Sequence, residues 1–413
     1  MRILFCFVFI LFTGSSVLSQ SNGVPVNKAK NNSSEELELE EISQPDSSAV
    51  IIEQLESKKV KTGKEAKKEQ LKIKSSYDLD DQNAEPVTEN LSTISSNEYR
   101  SASYSFDNSK EASSTQRQQR SPSFVQQVEM DQAVGYFEAT APESFECNYY
   151  TYVAGNYDVS LVESLNKAEN LRPDNSDVHV QKAAYNMIVQ DDDESLKYLE
   201  LLIRDERLED DLNYYAEDLL LSVPDSGLLI THGFDDTYST MYKQLKDNVR
   251  EDVTIVSLDF MQSEQFRSNL KEKGVSLPAR KTIDVDYLQE FCELNEDLNV
   301  SLSLTTPKEY FEPIKESLYV VGLVFEYHEK SFDNFHRNDD LWNNGLKKHL
   351  VFNSTEDKTK ILTSNYLPML LVLYQSYKDS GQLEKFAEID EASDKVSVQC
   401  EKYEQVNKLK GKY

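Results

Sequence analysis

Residues 227–260 read GLLITHGFDDTYSTMYKQLKDNVREDVTIVSLDF, and this stretch decides the fold. The apolar residues 228–231 predict a short buried strand, and residues 252–260, DVTIVSLDF, predict a second one. Between them, apolar side chains spaced three and four residues apart predict a helix over residues 236–248. Two strands joined by a helix indicate a parallel sheet, because a parallel pair needs a long crossover connection.

The same alternation continues as far as residue 329. NVSLSLT and LYVVGLVFEYH each predict one further strand, and SEQFRSNLKEKG and IDVDYLQEFCELN predict helices between the strands. Residues 226–329 are therefore predicted to form a small Rossmann-like parallel α/β domain. The predicted fold class of the whole chain is α/β plus all-α, since helical segments flank this domain on both sides.

Helical periodicity dominates residues 126–225. Apolar stripes such as the one through Leu161 and Leu165 are interrupted by the segment LRPDNSDVHVQKAAY, which predicts a helix end, a turn and a new helix capped near Ser176. The small alanines in the stripes and the Pro-Asp-Asn turn resemble degenerate tetratricopeptide repeats. Residues 330–413 return to a helical period and predict a helical C-terminal region.

The chain begins with MRILFCFVFILFTGSSVLSQ. One arginine, an apolar run and a small polar end predict a signal peptide over residues 1–19, with a membrane anchor as the alternative. Residues 20–125 are rich in Ser, Asn, Gln, Glu and Lys, and they predict a disordered acidic and polar tether. Since no later segment approaches the length of a membrane span, we expect an exported protein of the periplasm or outer membrane, without a transmembrane segment in its mature chain.

Charge and composition narrow the classes of function. The 73 acidic and 44 basic residues give a net charge of −29, which repels phosphate backbones, so nucleic acid is not an expected partner. The sequence has no glycine-rich phosphate loop and no nucleophile elbow, and we predict no cofactor and no metal. Cys147, Cys292 and Cys400 are interpreted as mostly buried thiols, with one disulfide as the alternative.

A histidine and two aspartates follow the first predicted strand, where open parallel sheets bind ligands. His232, Asp235 and Asp236 could together bind a cation or supply acid–base chemistry, and they are the candidate catalytic residues. The simpler interpretation is that Asp235 or Asp236 caps the following helix, where a carboxylate accepts hydrogen bonds from exposed N–H groups.

The same loop carries a family resemblance. The segments ITHGFDDTY (residues 230–238) and REDVTIVSL (residues 250–258), with LSLTTPKEYF and LYVVGLVFEY, resemble the soluble C-terminal part of the Bacteroidota-type membrane protein O-mannosyltransferase-like family. The resemblance covers residues 226 to about 390 and implies the shape of the domain and a binding role. It does not imply glycosyl transfer, because that chemistry belongs to the membrane-embedded half of the family and because Phe234 replaces an asparagine of the loop motif.

These features favour a non-catalytic binding or assembly protein, an adaptor of a Gram-negative cell envelope. We expect it to bind a protein partner through the repeat surface around Tyr185, Tyr198 and Tyr214. The alternative is a glycan-related transferase or hydrolase that uses His232 and the two aspartates. A second aromatic cluster is either a groove for a glycan or peptide ligand or part of the core, and it comprises Phe325, Tyr327, Phe332, Phe335 and Trp342.

Overall fold

A computed structural model describes residues 87–353 and 359–412 of the chain. Residues from Tyr99 onward form one compact unit, and the preceding described residues fall outside that unit. The predicted signal peptide and the predicted tether up to residue 86 lie outside the described residues. Within the described ranges, no helix combines the length and the apolarity that crossing a membrane requires.

The last part of the predicted tether is folded. Helix α1 spans Val87–Ser114 and helix α2 spans Phe124–Thr140. Phe106 of α1 is buried against Phe137 of α2 in a small apolar cluster. The prediction of disorder is therefore wrong for residues 99–125. The few apolar side chains of this segment gain partners on other helices, and composition alone cannot reveal those partners.

The following helices confirm the helical character predicted for residues 126–225. They are α3 Phe145–Ala154, α4 Val162–Leu171, α5 Ser176–Val189, α6 Asp192–Arg204 and α7 Asp210–Ser222. Helices α3 and α4 pack as one pair, and α5 and α6 as the next. Asn175 caps α5 by accepting a hydrogen bond from the Val178 N–H, and Asp191 caps α6 in the same way.

Five short strands form one sheet. They are β1 Leu228–Thr231, β2 Thr254–Ser257, β3 Val300–Ser303, β4 Leu318–Val321 and β5 Val324–Tyr327. Their order across the sheet is β2-β1-β3-β5-β4. Strand β1 lies between β2 and β3 and runs parallel to both, with Leu228 beside Thr254 on one side and beside Val300 on the other.

The sheet is mixed, so the prediction of a wholly parallel sheet is wrong. The segment LYVVGLVFEYH forms two strands, β4 and β5, which pair antiparallel through a two-residue turn at Gly322 and Leu323. Gly322 adopts a φ of +55°, and a side chain there would collide with Ser222, so the turn requires glycine. Both strands are buried, so the sequence shows one continuous apolar run over them and gives no sign of the turn between them.

Four helices connect or follow the parallel strands. They are α8 Gly233–Asp247, α9 Glu264–Glu272, α10 Val285–Leu294 and α11 Lys308–Phe311. Short 3₁₀ turns occur at Val159–Leu161, Phe260–Gln262, Glu296–Leu298, Glu312–Ser317 and Ser364–Tyr366. The helices between the strands confirm the alternation predicted from the sequence.

The C-terminal region is helical, as predicted. Its α-helices are α12 Phe335–Asp340, α13 His349–Asn353, α14 Thr359–Thr363, α15 Leu367–Ser380, α16 Leu383–Gln399 and α17 Tyr403–Leu409, with one π-turn at Leu341–Gly345. One apolar core runs from Ala183 through the sheet to Val406. The buried Asp218 of α7 connects this helix to the C-terminal region, since it accepts hydrogen bonds from the Lys348 N–H and the Tyr366 hydroxyl.

The three cysteines of the described residues are free thiols. Cys147 and Cys292 are buried and Cys400 is partly buried. Burial raises the pKa of the Cys292 thiol, which keeps it protonated and poorly reactive. This arrangement confirms the interpretation of mostly buried thiols rather than a disulfide.

Candidate functional site

The carboxyl ends of β1, β2 and β3 meet at one edge of the sheet. Chain order reverses there, since β2 lies on one side of β1 and β3 on the other. Such a switch point opens a crevice where α/β proteins bind ligands. The last residues of the three strands, Thr231, Ser257 and Ser303, each place a buried hydroxyl group at this edge.

Hydrogen bonds link the hydroxyl groups of this edge. The Thr231 and Thr237 hydroxyl oxygens are 2.8 Å apart, and Thr237 donates to Ser257 over 3.2 Å. On the β3 side, the Ser303 and Thr305 hydroxyl oxygens are 2.9 Å apart. These bonds fix the strand ends relative to the first turn of α8.

Asp259 lies two residues beyond β2 and faces the start of α8. Its Oδ2 accepts a hydrogen bond of 2.9 Å from the backbone N–H of Gly233. Gly233 has a φ of +79°, and a side chain there would meet open space, so glycine is needed only for the backbone conformation. The Asp259 carboxylate thus occupies the N-terminal end of α8, where the helix dipole favours a negative charge.

Arg120 pairs with Asp259 from the opposite side. Its Nη2 lies 2.5 Å and its Nε 2.7 Å from Asp259 Oδ1. Both side chains are largely buried, with 6% and 13% of their surface exposed. A third bond, from Arg120 Nη1 to the Ser114 carbonyl at 2.8 Å, orients the guanidinium. A buried pair with these hydrogen bonds is costly to break from one side only.

Arg120 belongs to a connecting segment, residues 117–121, which we call the strap. The backbone N–H of Arg120 donates to the Ile283 carbonyl over 2.7 Å, and the Val285 N–H donates to the Gln118 carbonyl over 3.1 Å. The Ser121 hydroxyl accepts a hydrogen bond of 3.0 Å from the Ile283 N–H. The strap is therefore held against residues 283–285 by its main chain as well as by Arg120.

The charges around this pair shift the pKa values of its neighbours. Burial by itself would raise the pKa of Asp259, but the Arg120 charge and the hydrogen bonds from Arg120 and the Gly233 N–H act together to hold that pKa below its usual range. Burial lowers the pKa of His232 to about 3, and the Arg120 charge lowers it as well. Burial also lowers the pKa of Lys110, on α1, to about 8. At neutral pH the pair is charged while the His232 imidazole is neutral.

His232 and Asp236 each carry a buried polar atom whose hydrogen bonding is incomplete. His232 Nε2 and Asp236 Oδ1 have no hydrogen-bond partner among the described residues. Asp236 is only 2% exposed, and its Oδ2 accepts a hydrogen bond from the Thr305 hydroxyl. Burial raises the pKa of Asp236 to about 6, although the hydroxyls of Thr305 and Ser303 oppose that rise.

Neither Asp235 nor Asp236 occupies the N-cap position of α8. Helix α8 begins after His232, which is its N-cap and makes no side-chain capping bond. Both aspartates lie inside the first turn, and the Asp236 carboxyl accepts a hydrogen bond from the Thr305 hydroxyl, just beyond β3. The sequence predicted that this helix begins at residue 236, about three residues after its start at Gly233, because Gly233 and Phe234 were assigned to the preceding loop.

The burial of Asp236 predicts that Asp236→Asn raises stability at neutral pH. The pKa of this carboxyl is about 6 in the folded chain and 3.8 when unperturbed, so its stabilising effect is complete below pH 3.8 and is lost as the pH rises through 6. Asparagine has no charge to bury. We expect a gain of about 2–3 kcal/mol in the free energy of unfolding at pH 7 and almost no gain at pH 4.

Urea unfolding at the two pH values measures this gain. Asp235→Asn is the matched control, because Asp235 lies in the same helical turn but is only partly buried. Neutralising Asp235 should lower the free energy of unfolding by less than about 1 kcal/mol, because only the interaction of its charge with the helix dipole is lost. An Asp236→Asn variant that loses stability equally at pH 4 and pH 7 would contradict the conclusion that burial raises the pKa of Asp236.

The tyrosines predicted to bind a partner do not share one environment. Tyr185 is partly buried against the α3–α4 pair, whereas Tyr198 is buried and its hydroxyl donates to Glu169 at 2.5 Å. Tyr214 is 39% exposed and stacks on His349 with ring centroids 3.8 Å apart. Tyr198 is therefore wrong as a surface contact residue, since α6 turns it inward, while Tyr214 has the exposure that a contact residue needs.

The aromatic cluster in the last strand and the following helices belongs to the core. Phe325, Tyr327 and Trp342 are buried, and Phe332 and Phe335 pack against the same core. The Trp342 indole N–H donates to Glu388 over 3.0 Å. The interpretation as core is thus confirmed for this cluster. Among the remaining histidines of the described residues, His179 is paired to Asp205 at 2.8 Å, and His328, directly after β5, lies 3.1 Å from a Glu326 carboxylate oxygen.

Sequence reasoning missed Asp259 and Arg120. Asp259 had a usable signal, because a polar residue directly beyond a second parallel strand lies at the same edge as the residues after the first. Arg120 had none, since it lies 139 residues before its partner in a segment of low apolar content. No group of three or more His, Cys, Asp or Glu in the described ranges is arranged to hold a metal ion.

Comparison with known proteins gives no relative. No protein-family model, no curated protein and no solved structure matches this chain.

Proposed function

We propose that the protein is an exported, non-catalytic binding or assembly protein of a Gram-negative cell envelope, which acts through protein–protein contacts. Its localisation, in the periplasm or at the outer membrane, is part of the proposal and rests on the N-terminal apolar run. The helical segment from α3 to α7 is the proposed docking surface.

One observation carries the non-catalytic part of this proposal. The Arg120 guanidinium holds the Asp259 carboxylate, two residues beyond β2, in a largely buried ion pair. A catalytic carboxylate or histidine must be free to exchange protons with a substrate at the working pH. With Asp259 paired and the pKa of His232 at about 3, neither group is set up for that exchange near neutral pH.

The helical segment has the features of a docking surface. Its helices pack in successive pairs, and we infer that they are degenerate tetratricopeptide-like repeats. We likewise infer a Rossmann-like relationship for the β1, β2 and β3 part of the sheet. A relationship to the soluble part of the membrane protein O-mannosyltransferase-like family belongs to the same proposal, and it rests on the motifs at residues 230–238 and 250–258.

A specific observation favours the second candidate, a glycan-related transferase or hydrolase. His232 Nε2 and Asp236 Oδ1 lack hydrogen-bond partners among the described residues, and a buried carboxyl with a pKa of about 6 has the value of a general acid. For this function the buried atoms of His232 and Asp236 would have to become accessible to a substrate.

Partner capture tests the first candidate against the second. We expect the mature chain to retain a defined protein from an envelope extract, and Tyr214→Ala to weaken direct binding of that purified partner by about tenfold, the loss of a central aromatic contact. Tyr104→Ala is the matched control, because Tyr104 is 70% exposed but lies on α1. Equal binding by both variants, together with glycan hydrolysis or transfer that Asp236→Asn removes, would favour the enzyme.

A further inference from the structure

The strap contacts the segment before α10 through its main chain and through one side chain, as a bound peptide would. Its backbone exchanges hydrogen bonds with residues 283–285 at Arg120 and Gln118 and forms one antiparallel bridge there, between Gln119 and Asp284. Its single buried side chain, Arg120, reaches Asp259. Peptide recognition by strand-like pairing works in this manner, because main-chain bonds supply affinity and one side-chain site supplies specificity.

The side-chain site is selective for a guanidinium group. Asp259 Oδ1 receives two nitrogens of Arg120 at 2.5 and 2.7 Å, and the Ser114 carbonyl receives a third. The planar guanidinium donates to the Asp259 carboxylate and to the Ser114 carbonyl at the same time, whereas a lysine ammonium would bond to only some of these acceptors. By contrast, the neighbouring Arg117 makes a partly exposed pair with Glu309.

We propose that Asp259 and residues 283–285 together form a binding site for an arginine-containing peptide of the partner, and that the chain's own strap occupies this site as an intramolecular competitor. The inference rests on the proposed binding function and specifies the chemistry of the partner. It places the arginine of the partner at Asp259 and its backbone along residues 283–285.

Charge complementarity supports a basic partner independently of the strap. Residues 126–225 contain 23 acidic and 6 basic side chains, so the helical segment attracts a positively charged segment over its whole surface. A partner peptide drawn to this segment would carry the cationic groups that the Asp259 site selects.

Tethering sets the strength of the competition. A strap fixed at both ends, between α1 and α2, acts at an effective concentration on the order of millimolar, so a free peptide of equal intrinsic affinity displaces it only at comparable concentration. Binding of a partner to the wild-type chain would therefore be weak until other contacts hold the partner nearby. Loss of Arg120 would remove the competing guanidinium and leave Asp259 without its ion-pair partner.

The test is binding of a fluorescent peptide with the sequence of residues 115–123, TQRQQRSPS, to the full chain. We expect Arg120→Ala to bind it at least about tenfold more tightly than the wild type, because the competing guanidinium is gone. The same peptide with alanine at its second arginine should bind the variant at least about tenfold more weakly. Arg117→Ala is the matched control and should bind like the wild type.

A second measurement avoids dependence on the stability of the variant. In the wild-type chain, hydrogen exchange at the Arg120 amide should accelerate when the peptide is added at about millimolar concentration, because the displaced strap loses its bond to Ile283, and the alanine peptide should have no effect. Equal binding of the two peptides by Arg120→Ala, or unchanged exchange at the Arg120 amide, would overturn the inference. Partner capture that persists in those cases would leave the binding function standing, so the two failures are distinguishable.

Discussion

Arg120→Ala is expected to lower the free energy of unfolding by about 3–5 kcal/mol, the cost of leaving one member of a buried ion pair without its partner. Asp259 would remain largely buried, and the Gly233 N–H and the Lys110 ammonium would compensate only part of its charge. The strap would also lose the anchor that keeps its main chain on residues 283–285. Urea unfolding at pH 7, followed by circular dichroism, measures the change.

Arg117→Ala is the matched control for that loss. Arg117 lies in the same strap and also pairs with a carboxylate, but its side chain is 40% exposed. An ion pair of this kind contributes about 0–1 kcal/mol. If the two variants lost equal stability, the claim that the Arg120 pair secures the strap would be wrong.

A double-mutant cycle separates the ion pair from the packing of its members. Asp259→Ala should also destabilise the chain strongly, because it leaves the Arg120 charge buried and unpaired. The double variant should cost less than the sum of the single changes, with a coupling of at least about 1 kcal/mol. Additive losses would show that the two side chains act independently.

His232 is expected to make the protein sensitive to acid. Its pKa is about 3 in the folded chain and 6.5 when unperturbed, so the unfolded chain takes up a proton that the folded chain refuses. Its contribution to stability is complete above pH 6.5 and is lost as the pH falls towards 3. The loss reaches at most about 4 kcal/mol, because part of the ring remains accessible to water.

His232→Gln should remove that part of the acid sensitivity. The quantity to measure is the difference in the free energy of unfolding between variant and wild type at pH 7 and at pH 4, which cancels the titration of the carboxylates common to both chains. His336→Gln is the control, because the His336 side chain is 82% exposed. The wild type and His232→Gln should diverge as the pH falls, whereas His336→Gln should follow the wild type; parallel pH profiles for all three would refute the buried, neutral imidazole.

His232 and Asp236 together predict the shape of the pH dependence. The contribution of His232 to the free energy of unfolding decreases as the pH falls from 6.5 towards 3, because the folded chain resists protonation of the imidazole. The contribution of Asp236 decreases as the pH rises from 3.8 to 6, because the folded chain resists ionisation of the carboxyl. The two slopes partly cancel in the wild type. Each single variant should therefore show a steeper net dependence on pH than the parent chain over this interval, with opposite signs.

The sequence by itself determined the elements whose signals are local. Apolar runs located β1, β2 and β3, and three- to four-residue spacing located the helices that follow them, because burial imposes its period on neighbouring residues. The charge balance and the scarcity of phosphate-binding motifs are also properties of the sequence alone. The position of His232 and Asp236 at a strand end followed from the same local pattern.

Tertiary structure decided the features that join distant residues. The turn at Gly322 depends on Ser222, and the folding of residues 99–125 depends on partners in α2 and α3. The site itself depends on Arg120 and Asp259, which are 139 residues apart. Periodicity describes which face of an element is buried, but not which other element covers it. A charged residue in a polar segment therefore gives no local sign that it will be buried against a carboxylate, since only the assembled fold supplies the partner that offsets its desolvation.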